Sequence, residues 1–163
     1  MKEPFTFFRR SRSPLFRWYR EAPFVLHGIT FRGAETYMMW FRDQVFGGVP
    51  EAQIPASTKP SAAKLLGRNV PNFNRDIWNA VARHGVFAGN MAKFTQNPAI
   101  IAELFKTAGT TLVEASPSVS IWGIGLEESD PRAADRATWR GTNWLGQTVT
   151  EVRDTILKAG NAL

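Results

Sequence analysis

Cysteine is missing from all 163 residues, which excludes disulfides, a thiolate nucleophile and zinc–thiolate sites. Histidine is almost missing as well: His27 and His84 are too few for a histidine metal cluster, so no metal and no cofactor are expected. No apolar run approaches the ~20 residues of a membrane span, and no membrane partner is expected. The opening MKEPFTFFRRSRS places its charges after its apolar residues and lacks the apolar segment of a secretory signal. A cytoplasmic location is the corresponding expectation. Internal repeats and low-complexity tracts are absent too.

What is present fits one domain of ordinary size, long enough to bury about two-thirds of its unfolded surface in one core. The net charge of +6 is unevenly placed. Lys2, Arg9, Arg10, Arg12, Arg17 and Arg20 face Glu3 alone in the first twenty residues, leaving the rest of the chain close to neutral. This divides the chain into a basic arm, 1–12, and a domain, 13–163. An anionic partner, phosphate or nucleic acid, would meet the arm first; the plainer alternative is a solvated terminus.

Periodicity sets the elements. PFVLHGITF reads as a tight hairpin turning at His27-Gly28, with Phe24, Leu26, Ile29 and Phe31 on its strands and His27 facing solvent. From Ala34 the spacing becomes helical through Tyr37, Met38, Phe41 and Val45, until Gly47-Gly48 stops it. Glu35 then stands in the first turn, where a carboxylate suits the helix dipole. After a Gly-, Pro- and Ala-rich loop, Pro60 opens a short helix that Gly67 closes, and Arg68 follows. Asn74 is a fitting N-cap for the next helix, which Gly85 would bend or divide. Asn97-Pro98 begins another, with Ile100, Ile101, Leu104 and Phe105 inward and Gly109 ending it. Strands are expected at 110–114 and 120–124, and a last helix at 148–158 carrying Val149, Val152 and Ile156. Residues 127–138 have the composition of an exposed loop or short helix that covers a pocket. Helices outnumber strands and no βαβ rhythm appears, so the expected fold is a helix-dominated α+β domain around a small sheet.

One stretch has a more specific pattern. VEASPSVSIWGIGLEE and WRGTNWLGQTVTEVR set Trp122, Trp139 and Trp144 among glycines, joining broad stackable faces to close backbone approach. Together with AETYMMWFRD, KLLGRNV and GNMAKFTQNP, in this order over roughly residues 13 to 158, these blocks resemble the NADAR (YbiA-like) N-glycosidase superfamily.

The resemblance implies a YbiA-like fold and hydrolysis of a bond between a ribose anomeric carbon and nitrogen. It implies as substrate a phosphorylated N-riboside, such as a ribosylamino-pyrimidine phosphate, or guanine carrying an ADP-ribosyl group. Such chemistry needs charge stabilisation at the anomeric carbon, a proton for the departing nitrogen and an activated nucleophile; one carboxylate can serve two of these in turn. On residues that match the family blocks, Glu35 and Asn143 are expected to be catalytic, Asn143 by fixing a ribose hydroxyl or phosphate. Trp122 is expected to stack on the departing base beside Gly123, and Arg68 to meet a phosphate. Arg42, Arg17 and Lys93 complete the expected substrate contacts. Each has a plainer alternative: Trp122 as core, Asn143 holding its own turn, Arg68 pairing with a helix C-terminus. Three positions depart from the family pattern. Arg17 stands where Asn is usual, Arg42 where Lys is usual, and Val119 where Asp is usual. Some members are thought to pass through a lysine Schiff base, a role arginine cannot take because it stays protonated. The alternative to a working N-glycosidase is therefore a nucleotide- or ADP-ribose-binding protein that has lost turnover, or an enzyme of this fold acting on bases in nucleic acid.

Overall fold

The computed structural model describes residues 2–9, 13–15, 22–48, 54–55 and 59–161. In chain order the elements are β1 (Phe5–Phe8), β2 (Phe24–Leu26), β3 (Ile29–Phe31), α1 (Ala34–Phe46), α2 (Pro60–Arg68), α3 (Arg75–Thr95), α4 (Pro98–Phe105), β4 (Thr111–Glu114) and α5 (Trp144–Asn161). Two 3-10 turns, Pro131–Ala134 and Arg136–Thr138, precede α5. The chain gathers into two units, Met1–Phe16 with Ile101–Leu163, and Arg17–Ile100. The expected helix-dominated α+β composition is the observed one, with two small two-stranded sheets.

In the first unit β1 and β4 pair in parallel, Phe5 opposite Thr111 and Phe8 opposite Glu114. This corrects the expected arm: FTFF, flanked by charge, is a strand of the sheet. Glu3 anchors its start by accepting from Thr111 Oγ1 at 2.6 Å and pairing with Arg136, whose guanidinium, with the Thr111 hydroxyl, holds the Glu3 carboxyl below its ordinary range. Arg9 pairs with Glu127 at 3.3 Å just past its end. Of the arm's other cations, Arg10 and Arg12 lie outside the described residues. Val113, Ala115, Ile124, Leu126 and Ala133 form a buried cluster on which Phe5, Phe7 and Trp139 pack. The 127–138 stretch takes the short-helix alternative. Asp130 and Asp135 cap its turns, and Trp139 Nε1 donates to Ala133 O at 2.9 Å.

Residues 120–124, expected as a strand, are not one. Their carbonyls face the start of α5: Thr142 N donates to Ser120 O, Asn143 N to Gly123 O, Trp144 N to Ile121 O and Leu145 N to Trp122 O, at 2.8–3.1 Å. A helix leaves its first N–H groups without intrahelical partners, and here this loop supplies the acceptors. That is why α5 starts at Trp144, ahead of the expected 148.

In the second unit β2 and β3 form the expected hairpin, and His27 (φ 53) and Gly28 (φ 73) take the two positive-φ positions of a tight turn. His27 is exposed, and its ring stacks on Trp40 at 5.4 Å. Phe24, Phe31, Tyr37 and Trp40 form an aromatic cluster between the hairpin and α1. Asn74 caps α3 as expected, accepting from Ile77 N at 3.0 Å. Gly85 neither bends nor divides α3, which runs unbroken to Thr95. Its missing side chain makes room for the Phe41 ring, and Gly67, one residue before the end of α2, does the same for Met39. Close helix approach explains Gly85 and adds a packing role to Gly67 beside the expected helix end.

Candidate active site and arginine face

The first half of α1, Ala34 to Trp40, is buried all round, as expected of a helix enclosed on every side. Glu35 sits in its first turn and is 1% exposed. On α3, Tyr37 fits over Gly89 and Phe41 over Gly85, so the two helices run antiparallel, four residues of one matching four of the other. Continuing that register by one turn brings Lys93 level with Gly33, which precedes α1. Lys93 is 0% exposed, and burial pushes its ammonium down to about 7. Its Nζ lies 5.0 Å from the centre of the Phe94 ring. The second unit therefore encloses a carboxylate on α1 and, on α3, a lysine of lowered proton affinity.

Among the described residues, Asn90 Oδ1, Trp40 Nε1 and Arg42 Nε of this unit are buried without a hydrogen-bond partner. Asn90 Nδ2 donates to Val86 O at 2.8 Å, but its Oδ1 is left open. Buried polar groups are nearly always paired, so such exceptions mark places where a ligand or water belongs. Asn90 was missed by the sequence reading, although the signal was there: the buried stripe Trp78, Ala82, Val86 continues by steps of four and three to Asn90 and Lys93.

Arg42 is half-buried two turns along α1 from Glu35. Its Cζ lies 4.0 Å over the Phe73 ring and 5.5 Å from that of Trp78. Burial first, and the like charge of Arg68 second, lower its affinity for its proton, which places the exposed Arg68 close by. Among the described residues neither guanidinium has a carboxylate partner. Arg17 lies outside the described residues.

In the first unit Asn143 is fully buried at φ 53. Its Oδ1 accepts from Glu114 N at 3.0 Å and its Nδ2 donates to Leu112 O at 2.9 Å, as an adjoining strand would. Each end of this amide bonds the β4 backbone, so the residue positions that strand, the plainer of the two expected roles. Gly123 is buried, and a Cβ there would lie 2.7 Å from Glu114 O. Gly141 and Gly146 are equally confined, by Gly123 O and Leu112 O. Trp122 is half-buried with its ring edge-on to Trp144 at 5.6 Å. Glu114 is buried beside Gly123, a second acidic group that the sequence reading passed over. An open cleft of about 620 Å³ is lined, among the described residues, by Phe7, Phe8, Arg9, Ser13, Leu15, Glu127, Glu128 and Ser129, none of them an expected site residue.

The family model of the NADAR domain matches residues 2–157. The chain belongs to the NADAR family. The N-glycosidase R617 of Acanthamoeba polyphaga mimivirus is 39% identical over 122 residues, 74% of this chain and 72% of that protein. Protein irg-1 of Caenorhabditis elegans is 37% identical over 131 residues, 78% of this chain but only 62% of the relative. The N-glycosidase Npun_R5314 of Nostoc punctiforme is 30% identical over 139 residues, 82% of both chains. In structure the NADAR chain resembles the NMR structure of Escherichia coli YbiA, with a TM-score of 0.76 over 98% of this chain and 89% of that one, at 22% identity. That match bears out the expected YbiA-like fold. No helix among the described residues is long and apolar enough to cross a membrane.

Proposed function

We propose that the chain is an N-glycosidase that hydrolyses the ribose–nitrogen bond of a phosphorylated N-riboside or of ADP-ribosylated guanine, with Glu35 and Lys93 as its reacting groups. The observation that carries this reading is the burial of both groups in the second unit, with Lys93 lowered to about 7. Relatives that bear the name N-glycosidase support the reaction class.

The chemistry follows from those two groups. A neutral Lys93 amine attacks the anomeric carbon, the carbon–nitrogen bond breaks with its electron pair going to nitrogen, and Glu35 delivers the proton that nitrogen needs. Loss of the amine proton and opening of the ring give the Schiff base. Water then adds to the imine carbon, with Glu35 as base, and releases the sugar and the amine. A lysine at its ordinary value would be almost wholly protonated and inert at neutral pH; burial supplies the nucleophile. Arg42, at the usual lysine position, is stacked on Phe73 and does not take this role. Asn90 Oδ1 is proposed as an acceptor for a ribose hydroxyl. A base-binding role for Trp122 and Gly123 rests on the family blocks alone, and Asn143 serves as a positioning residue within the first unit.

The decisive experiment incubates the protein with a ribosylamino-pyrimidine phosphate and with an oligonucleotide carrying ADP-ribosylated guanine, then adds borohydride. Expected are released sugar and a covalent mass adduct lost in Lys93→Arg, and turnover about 10²–10⁴-fold lower in Glu35→Gln. Hydrolysis of neither substrate sinks the reading in favour of a binding protein. Hydrolysis that survives Lys93→Arg removes the lysine from the mechanism.

A further inference from the structure

Leu65, Phe73 and Ile77 are large apolar side chains that the second unit leaves 62%, 40% and 51% exposed. Leu65 and Phe73 flank the two arginines, which have no carboxylate partner among the described residues. Leu65 stands one turn before Arg68 on α2, and Phe73 lies beneath the Arg42 guanidinium. Phe46 meets Phe73 edge-on at 5.2 Å and holds the ring in place from one side.

A partner for this surface must bring negative charge and flat apolar area together. An acidic peptide brings the charge without the flat face, and an apolar helix leaves two cations facing nothing. A single nucleic-acid strand brings both at short spacing, a phosphate for each guanidinium and a base for each open ring. The basic start of the chain is a weaker rival for this role than its charge suggests. Its Arg9 is paired with Glu127, and β1 is built into the sheet.

We propose that the Arg42–Arg68–Phe73 face of the second unit is a contact surface for single-stranded nucleic acid, with phosphates on the two guanidiniums and a base against Phe73. The strand need carry no modification, so the proposal is independent of the cleavage reaction. Its probe is a labelled oligothymidylate of roughly a dozen nucleotides, titrated with the full chain by fluorescence anisotropy at several salt concentrations. Phe73→Ala is expected to weaken binding roughly 5- to 150-fold, the range of one base stack. Arg68→Gln is expected to reduce the slope of log affinity against log salt by about 0.7, one phosphate contact on a single strand. Both side chains are exposed, so these variants keep their fold even if Arg42→Gln, which loses its stack, does not. Absence of binding, or binding unchanged in both variants, overturns the proposal. So does displacement of the strand by ribose 5-phosphate with Phe73→Ala without effect, which would assign the arginines to a small ligand. Equal affinity for poly-glutamate would reduce the surface to charge alone and overturn it as well.

Discussion

Lys93→Met separates the thermodynamic cost of the buried amine from its chemistry. The folded protein holds Lys93 at about 7, against 10.5 for a solvated lysine. Between those values the unfolded chain binds a proton that the folded chain does not, so the parent becomes more stable as pH rises through this window. Below about pH 7 both states are protonated and the contribution of this group is constant, at its least favourable. Each unit within the window is worth about 1.4 kcal/mol. Relative to Lys93→Met, the parent should therefore gain about 2–3 kcal/mol in unfolding free energy from about pH 7 to about pH 9. Urea unfolding of both proteins across that range reads the difference directly, and other titrating groups largely cancel between them. A parent-minus-variant difference that stays flat or falls over those two units would refute the buried, neutral lysine. The same group should give kcat an ascending limb near pH 7, since only the free amine attacks; a limb near pH 10 would place the nucleophile elsewhere.

Other consequences are local. Asn143→Ala leaves Glu114 N–H and Leu112 C=O buried without their partners, and at about 1–3 kcal/mol for each orphaned group it should cost about 2–5 kcal/mol in urea unfolding; a loss under about 1 kcal/mol would mean that the strand holds without it. Gly85→Ala drives a methyl into the Phe41 ring and should destabilise by about 1–3 kcal/mol despite the better helix propensity of alanine. Gly160→Ala, with open space around it near the end of α5, should be neutral or slightly stabilising in the same assay. If both glycine replacements stabilise, the close approach of α1 and α3 is looser than the contact distances imply.

Punctuation residues made much of the fold legible in the sequence. Asn74, Pro60, Pro98 and Gly47 lie at or beside helix ends because capping and proline geometry are local, needing only neighbours in the chain. What was illegible depended on distant partners. FTFF became a strand because residues 111–114 lie beside it, a pairing more than a hundred positions away. Residues 120–124 show a strand-like pattern, but their carbonyls turn to the N–H groups of 142–145, and side-chain alternation carries no information about that choice. Gly85 read as a bend or break because a glycine in a helix weakens it; the Phe41 side chain that needs the space belongs to another helix. At the candidate site the family blocks singled out Glu35 and Lys93, but neither spacing nor charge revealed that Lys93 is fully enclosed. Its place on the stripe of α3 was available as a signal; a lysine there is ordinarily counted as polar surface.

The buried polar residues sort by what their hydrogen bonds are spent on, and this bears on where chemistry can occur. In the first unit Asn143 is committed to β4, and Arg153 donates to Thr107 O at 2.7 Å and to Thr107 Oγ1 at 3.1 Å while holding Asp154 at 2.8 Å. Such groups are favourable because they are satisfied, and a ligand that drew one away would have to replace the backbone bond it breaks. In the second unit Asn90 Oδ1 and Trp40 Nε1 are buried and open, and Lys93 is driven toward neutrality by the same enclosure. These groups raise the free energy of the folded chain, and a fold retains them where a ligand or reaction uses them. Membership of a family block alone therefore does not make a residue catalytic. Asn143 and Lys93 are both family positions and both fully buried, yet the amide bonds the backbone of β4 whereas burial lowers the proton affinity of the amine.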